Sequence, residues 1–139
     1  MSGYAKFLPP DNLPAFHLPF WQALKEHVFK LQKCDDCGSC RYIPTEICAR
    51  CGSETWTWTP VTGRGTVHTY TVIHRGPTPA YQADAPYMIA HVDLDEGPRV
   101  IGNLEGCEPA QVRIGMPVEI VYQDVTDDWT LFKFVPAKR

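Results

Sequence analysis

No apolar run in the 139 residues approaches the ~20 that a membrane-spanning helix needs. The opening stretch, MSGYAKFLPPDNLP, places no basic patch ahead of an apolar core, so it does not read as a signal peptide. A cytoplasmic location and no membrane partner are therefore expected. The sequence has no internal repeat and no low-complexity tract. It also lacks a glycine-rich phosphate loop, a G-x-S-x-G elbow and an H-E-x-x-H helix. Positive charge is scarce in the second half. Between Pro60 and Phe132 only Arg64, Arg75, Arg99 and Arg113 stand against ten acidic residues. A nucleic-acid groove needs basic side chains to track phosphates, so that function is disfavoured.

What is abundant is cysteine, in one place. Five of the six cysteines fall in the stretch CDDCGSCRYIPTEICARCG, Cys34 to Gly52. Two C-x2-C pairs, Cys34/Cys37 and Cys48/Cys51, are each followed by glycine and separated by ten residues. A C-x2-C turn puts two thiolates on one side of a metal. The following glycine lets the backbone fold under the sulfurs and aim N–H groups at them. Two such knuckles complete a tetrahedral sulfur site, expected at the tips of two short hairpins. Four thiolates accept zinc or iron, and zinc is the expected ion. With four protein ligands no position stays open for water, so the site is structural and its binding free energy is folding free energy.

Competing uses of the thiols are weaker. A disulfide framework does not suit a reducing compartment. A thioredoxin-type pair wants a helix N-terminus after a strand, and here glycine follows each pair. Cys40 lies off the knuckle spacing and reads as a spectator, or else as a substitute ligand. Cys107 reads as a half-buried residue in a turn.

Around this segment the chain divides into three blocks: an arm and helix over 1–33, a zinc ribbon over 34–59 and a barrel over 60–139. In the first, FHLPFWQALKEHVFKLQK reads as a helix with Pro19 in its first turn. Phe20, Leu24, Val28 and Leu31 form its apolar stripe, widened by Trp21 and Phe29. Trp21 and Phe20, with Leu24 beside them, are candidates to meet a partner. In the third block GTVHTYTVIH, YMIAHVDLD, RVIGNL, PVEIVYQDV and TLFKFVP read as five strands, with a turn or short helix around Glu108 to Val112. A mainly β fold ending in a five-stranded OB barrel fits best, and an SH3-like barrel is the competitor.

Candidate chemistry outside the cysteines is thin. His27 reads as a helical surface residue. His68 and His91 read as part of the barrel wall. His74 and Arg75 sit where the first barrel strand enters the loop RGPTPAYQADAP, a place where barrels carry binding sites. The alternative is that Arg75 simply pairs with Asp84, Asp93 or Asp95. Asp93/Asp95/Glu96 and Asp127/Asp128 read as turn acids rather than an acid–base pair. Trp56 and Trp58 suit a position wedged between ribbon and barrel.

The order helix, C-x2-C-G, YIPTEICARCGS, TGRGTVHTYTVIHRGPTP, APYMIAHVDLDEGPRV, IGMPVEI resembles the zinc-ribbon/OB-fold proteins once called domain of unknown function thirty-five. The likeness runs from about Phe16 to Pro136. It implies an N-terminal helical arm, a rubredoxin-like ribbon with Cys34, Cys37, Cys48 and Cys51 as ligands of a structural Zn2+, and an OB barrel. It carries over no catalytic residue. It implies a non-catalytic accessory subunit of a thiolase-like enzyme, an aldolase or thiolase acting on a bulky acyl-CoA such as a steroid side chain, with a hydratase-like domain as a further neighbour and a heterotetramer as the assembly. His74, Arg75 and Tyr87 are then the candidates to touch substrate or CoA. The alternatives are a stand-alone acyl-CoA-binding protein and a nucleic-acid-binding OB module.

Overall fold

The expected long helix is interrupted by its own backbone. In the computed structural model, which describes residues 4–138, helix α1 spans only Leu18–Lys25, preceded by a single 3-10 turn at Ala15–His17. His27 adopts a left-handed backbone, φ 58°. The Val28 N–H reaches back to the Ala23 carbonyl (3.0 Å) and the His27 N–H to the Leu24 carbonyl (2.9 Å). That pair of bonds is a Schellman cap, here closed by histidine instead of the usual glycine. Leu31 is therefore buried from a strand, not from the helix, and His27 lies beyond the helix end.

The chain after the cap forms a three-stranded antiparallel sheet in the order β2-β1-β3. Its strands are β1 (Lys30–Cys34), β2 (Cys40–Arg41) and β3 (Trp56–Pro60). Thus β1 belongs to the same sheet as the first cysteine knuckle. It pairs with β2 at Lys33/Cys40 and with β3 from Lys30/Pro60 to Cys34/Trp56.

The remaining strands are β4 (Arg64–Ile73), β5 (Tyr87–Leu94), β6 (Arg99–Leu104), β7 (Pro117–Asp124) and β8 (Thr130–Pro136). They close in the order β4-β5-β6-β8-β7, with β6 and β8 parallel and β7 returning to β4. This is OB topology, which settles the choice against the SH3-like barrel. Alternation places Met88, Ala90, Val92 and Leu94 inside, facing Val67, Val100, Val118 and Phe134. A bulge at His68 offsets β4 against β5. Gly65 is required where these strands cross, because a Cβ there would lie 2.3 Å from the Asp93 carbonyl oxygen. The long β4–β5 loop carries one short helix, α2 (Pro79–Gln82), and the β6–β7 connection carries a 3-10 turn, Pro109–Gln111.

Helix, ribbon and barrel share one core. Phe29, just before β1, packs its ring 5.5 Å from Phe20 on α1 and 4.9 Å from Phe132 on β8. Phe20 and Leu24, expected at a partner surface, are 3% and 0% exposed and are buried in this core instead. Trp21 stays half-buried, edge-on to Trp129 at 5.3 Å. A polar tie runs parallel to the apolar one. The Asp124 carboxylate accepts from Thr130 Oγ1 (2.6 Å) and faces His27 Nε2 (3.0 Å), joining the helix end to the β7–β8 turn.

Two outcomes follow. Phe29→Ala should cost about 3–5 kcal/mol, read as a drop in the urea midpoint at unchanged cooperativity, because it empties the junction of all three parts. Asp124 has its carboxyl held below the usual range by Thr130 and then by His27. A depressed native value contributes stability above the unfolded-state pKa that is lost as pH falls through the folded one. Asp124→Asn should therefore flatten the acid limb of the Tm-versus-pH curve.

Candidate metal centre

The two knuckles are built alike, C-x2-C-G-S in both cases. The Cys34 N–H donates to the Ser39 carbonyl (2.9 Å), and Gly38 N–H donates back to the Cys34 carbonyl (3.0 Å). In the second knuckle the equivalent bonds are Cys48 to Ser53 and Gly52 to Cys48, both 2.8 Å. Gly38 and Gly52 have φ 77° and 78°, with open space where a Cβ would go. The left-handed backbone, not crowding, is what demands glycine there.

The four sulfurs all lie within 4.8 Å of one another. Cys34 Sγ is 3.5 Å from Cys51 Sγ, and Cys37 Sγ is 3.7 Å from Cys48 Sγ. A tetrahedral zinc with bonds of about 2.3 Å separates its sulfurs by ~3.8 Å, so the cluster has the size the ion needs. Cys34 and Cys48 are buried while Cys37 and Cys51 face outward. Cys40 and Cys107 stand outside the cluster, half-buried, with burial pushing both thiols up.

Protons cannot leave all four thiols without a cation. The Cys51 N–H, helped by the Ser39 hydroxyl and the Arg50 N–H, lowers Cys48 to about 6. The Cys37 N–H likewise lowers Cys34. For Cys51 the Ser53 N–H pulls downward, but Cys34, burial, Cys37 and Cys48 outweigh it and push the thiol up to about 12. A divalent ion removes that conflict by bonding every sulfur as thiolate. Four sulfur ligands in a closed tetrahedron suit zinc in a structural role.

Two contributors carry no recognisable sequence signal. Gln32 on β1 is fully buried and clasps Thr45, donating from Nε2 to its carbonyl and accepting its N–H at Oε1, both 2.8 Å. This clasp anchors the loop that delivers Cys48. Only the first knuckle ends a hairpin; the second is fed by that irregular loop and leaves into β3. Ser39 Oγ lies 3.1 Å from Cys37 Sγ and 3.6 Å from Cys48 Sγ, linking the knuckles. Arg41 stacks on Trp56 (5.2 Å), and Trp58 packs against the shared core.

The other candidate residues do not gather with the sulfurs or with each other. His74 and Arg75 are exposed at the end of β4. Two of the three expected partners of Arg75 are engaged elsewhere: Asp84 pairs with Lys6, and Asp93 with Arg99 (2.7 Å) and His68 (3.6 Å). Tyr87 lines a cleft of about 570 Å³ at one end of the barrel, which includes neither His74 nor Arg75. No helix among the described residues is long and apolar enough to cross a membrane.

Cys48→Ser should leave zinc substoichiometric by elemental analysis, where the parent chain holds one ion. Trp56 sits opposite Cys34 on β3, so chelation should also collapse the near-UV tryptophan signal, and added zinc should restore it.

Comparison with known proteins agrees with this architecture. A family model described as the ChsH2 rubredoxin-like zinc ribbon domain matches residues 21–57, and one described as the ChsH2 C-terminal OB-fold domain matches residues 58–123. A DUF35 domain-containing scaffold protein of Methanocaldococcus jannaschii is 36% identical over 110 residues, 78% of this chain and 77% of that protein. A probable enoyl-CoA hydratase alpha subunit of Thermomonospora curvata is 38% identical over 119 residues, 85% of this chain. The 3-oxo-4,17-pregnadiene-20-carboxyl-CoA hydratase alpha subunit of Mycobacterium tuberculosis is 38% identical over 117 residues, 84% of this chain. The chain spans only 37% and 36% of those two hydratase subunits. Among solved structures, a chain of an Ltp2-ChsH2(DUF35) aldolase superposes with TM-score 0.82 at 33% identity, covering 93% of this chain and all of that one. With both halves matched in sequence and the whole superposed in structure, the chain belongs to the ChsH2-type DUF35 family of zinc-ribbon/OB-fold proteins.

Proposed function

We propose that this chain is a non-catalytic accessory subunit that docks on a thiolase-like enzyme, an aldolase or thiolase acting on a bulky acyl-CoA of the steroid side-chain type. The observation that carries the reading is the superposition, over 93% of the chain, on a chain of an Ltp2-ChsH2(DUF35) aldolase. The names of relatives point the same way: a scaffold protein, a hydratase subunit for a pregnadiene carboxyl-CoA, and, over 53% of this chain, a benzoylsuccinyl-CoA thiolase subunit of Geobacter metallireducens. A hydratase-like domain is a natural further neighbour, since this chain corresponds to about a third of the hydratase subunits. A dimeric thiolase-like core with one such chain on each half gives a heterotetramer.

The chemistry of the chain supports a supporting role. Its specialised cluster is a closed sulfur site with no open coordination position. Exposed apolar side chains flank the metal segment, with Ile43 and Ile47 56% and 53% exposed on the loop that leads to Cys48. Acyl-CoA contact at the joint surface would fall to residues such as His74, Arg75 and Tyr87. They occupy the β4–β5 loop and the start of β5.

Co-expression tests this. The chain should co-purify with a thiolase-like subunit encoded beside it, at equal stoichiometry, and acyl-CoA cleavage should need both. Turnover by the isolated chain, or no measurable affinity for such subunits, would overturn it.

A further inference from the structure

Strands β6 and β8 pair at one position, Leu104 with Phe134, which makes theirs the seam with the least pairing in the barrel wall. The cleft of about 570 Å³ lies beside it and draws its lining from both strands, Leu104 on β6 and Leu131, Phe132 and Lys133 on β8. Its volume is that of a small-molecule site. The floor is apolar. Met88 and Leu104 are cross-strand partners on the inner face of the barrel, and the Phe132 ring lies edge-on to Phe134 (6.0 Å, 84°). Tyr81 and Tyr87, with ring centroids 6.0 Å apart, form an aromatic wall, and Tyr4 and Lys6 of the arm complete it.

Charge decides what this cleft accepts. Lys6 is paired with Asp84, and Lys133 with Glu105 (2.8 Å). Glu108 adds a third carboxylate to the lining. Two ammoniums already matched, among three carboxylates, leave a phosphate or carboxylate ligand no counter-charge. A cationic ligand meets a different obstacle. The Lys6 ammonium already stands 5.3 Å from the Tyr81 ring and 5.9 Å from the Tyr4 ring, on the faces beside Asp84 that such a ligand would use. A neutral molecule breaks no ion pair. An aromatic wall above an apolar floor favours a flat ring system. The side-chain amides of Asn103 and Gln123 line the same cleft and, among the described residues, make no hydrogen bond to the protein. Each offers two donors and an acceptor, which suits keto or hydroxyl groups at the edge of such a ring system.

We infer that the cleft at the β6–β8 seam is a binding site for a neutral, flat, fused-ring molecule of sterol size that carries keto or hydroxyl groups. The site stands on this chain alone and does not depend on the partner assignment. The ring portion of a steroid acyl-CoA belongs to this ligand class, and its CoA portion does not.

The zinc-loaded full chain, without any partner, is titrated with androstenedione, a neutral four-ring diketone, and followed through its backbone amide resonances. Binding should saturate at one molecule per chain with a Kd of roughly 10–100 µM. The shifted amides should be those of the lining, Leu104, Cys107 and Leu131 among them. About a tenfold excess of CoA should not displace the steroid. Leu131→Trp, which fills the cleft, should weaken binding by about tenfold or more, whereas Ile101→Ala, at an exposed β6 position outside the lining, should leave it unchanged. The shift map is made on the parent chain and holds whether or not the Leu131 variant folds. Failure to saturate, shifts centred away from the cleft, displacement by CoA, or undiminished binding by a folded Leu131→Trp chain would each overturn the assignment.

Discussion

Four sulfurs that cannot all be ionised without a cation are the constraint on which the first half of this protein depends. Between Cys34 and Thr59 the only buried residues are Cys34, Pro44 and Cys48. A segment so short of apolar contacts cannot offset the entropy of ordering its loops. The ion replaces a core, and the knuckles are prepared for it. Glycines in left-handed geometry turn N–H groups toward the sulfurs, and two of the thiols are already drawn toward thiolate. The raised Cys51 thiol is the cost of that preparation, and the metal relieves it.

The metal centre is not isolated from the barrel, because β1 carries a metal ligand at its end and a residue of the shared core within it. Cys34 ends this five-residue strand, Gln32 in its middle holds the loop of the second knuckle, and Leu31 enters the common core. Phe29 precedes it and touches Phe20 and Phe132. A strand with no bulge in its pairing to β3 transmits position as well as energy. Ribbon and barrel are thereby held at a fixed offset, which suits the docking role proposed for the chain. Rigid presentation lowers the ordering cost of association.

The metal ligands, the strands of the barrel and their inward faces were legible in the sequence because each rests on short-range chemistry. C-x2-C-G encodes its own turn, and alternation encodes the sheet face. The helix boundary was not legible. Phe20, Leu24, Val28 and Leu31 fit a helical stripe by spacing, yet the chain turns at His27, where a histidine adopts a conformation normally left to glycine. Gln32 and Ser39 were also hidden, since their roles arise only once Thr45 and the sulfurs are folded against them. Of the three candidates on and after the loop that follows β4, only Tyr87 lines the cleft. Tyr81, Asp84 and Tyr87 face the cleft, while His74 and Arg75 lie outside it. Resemblance to the family supplied what neither spacing nor composition contains, the expectation of an enzyme partner.

Three carboxyls of the barrel, Asp84, Asp93 and Asp124, are shifted in one direction. A general acid at neutral pH needs a carboxyl raised by burial or by a neighbouring carboxylate. Asp84, Asp93 and Asp124 move the other way. Lys6 lowers the first, Arg99 the second, and Thr130 with His27 the third. Each joins segments far apart in the chain or across a sheet: arm to loop, strand β5 to β6, helix end to β7–β8 turn. Glu105 ties β8 through Lys133, and Glu96 accepts the Thr62 N–H at the start of the barrel. Five of the barrel's ten acids thus tie its strands, turns and flanking arm together.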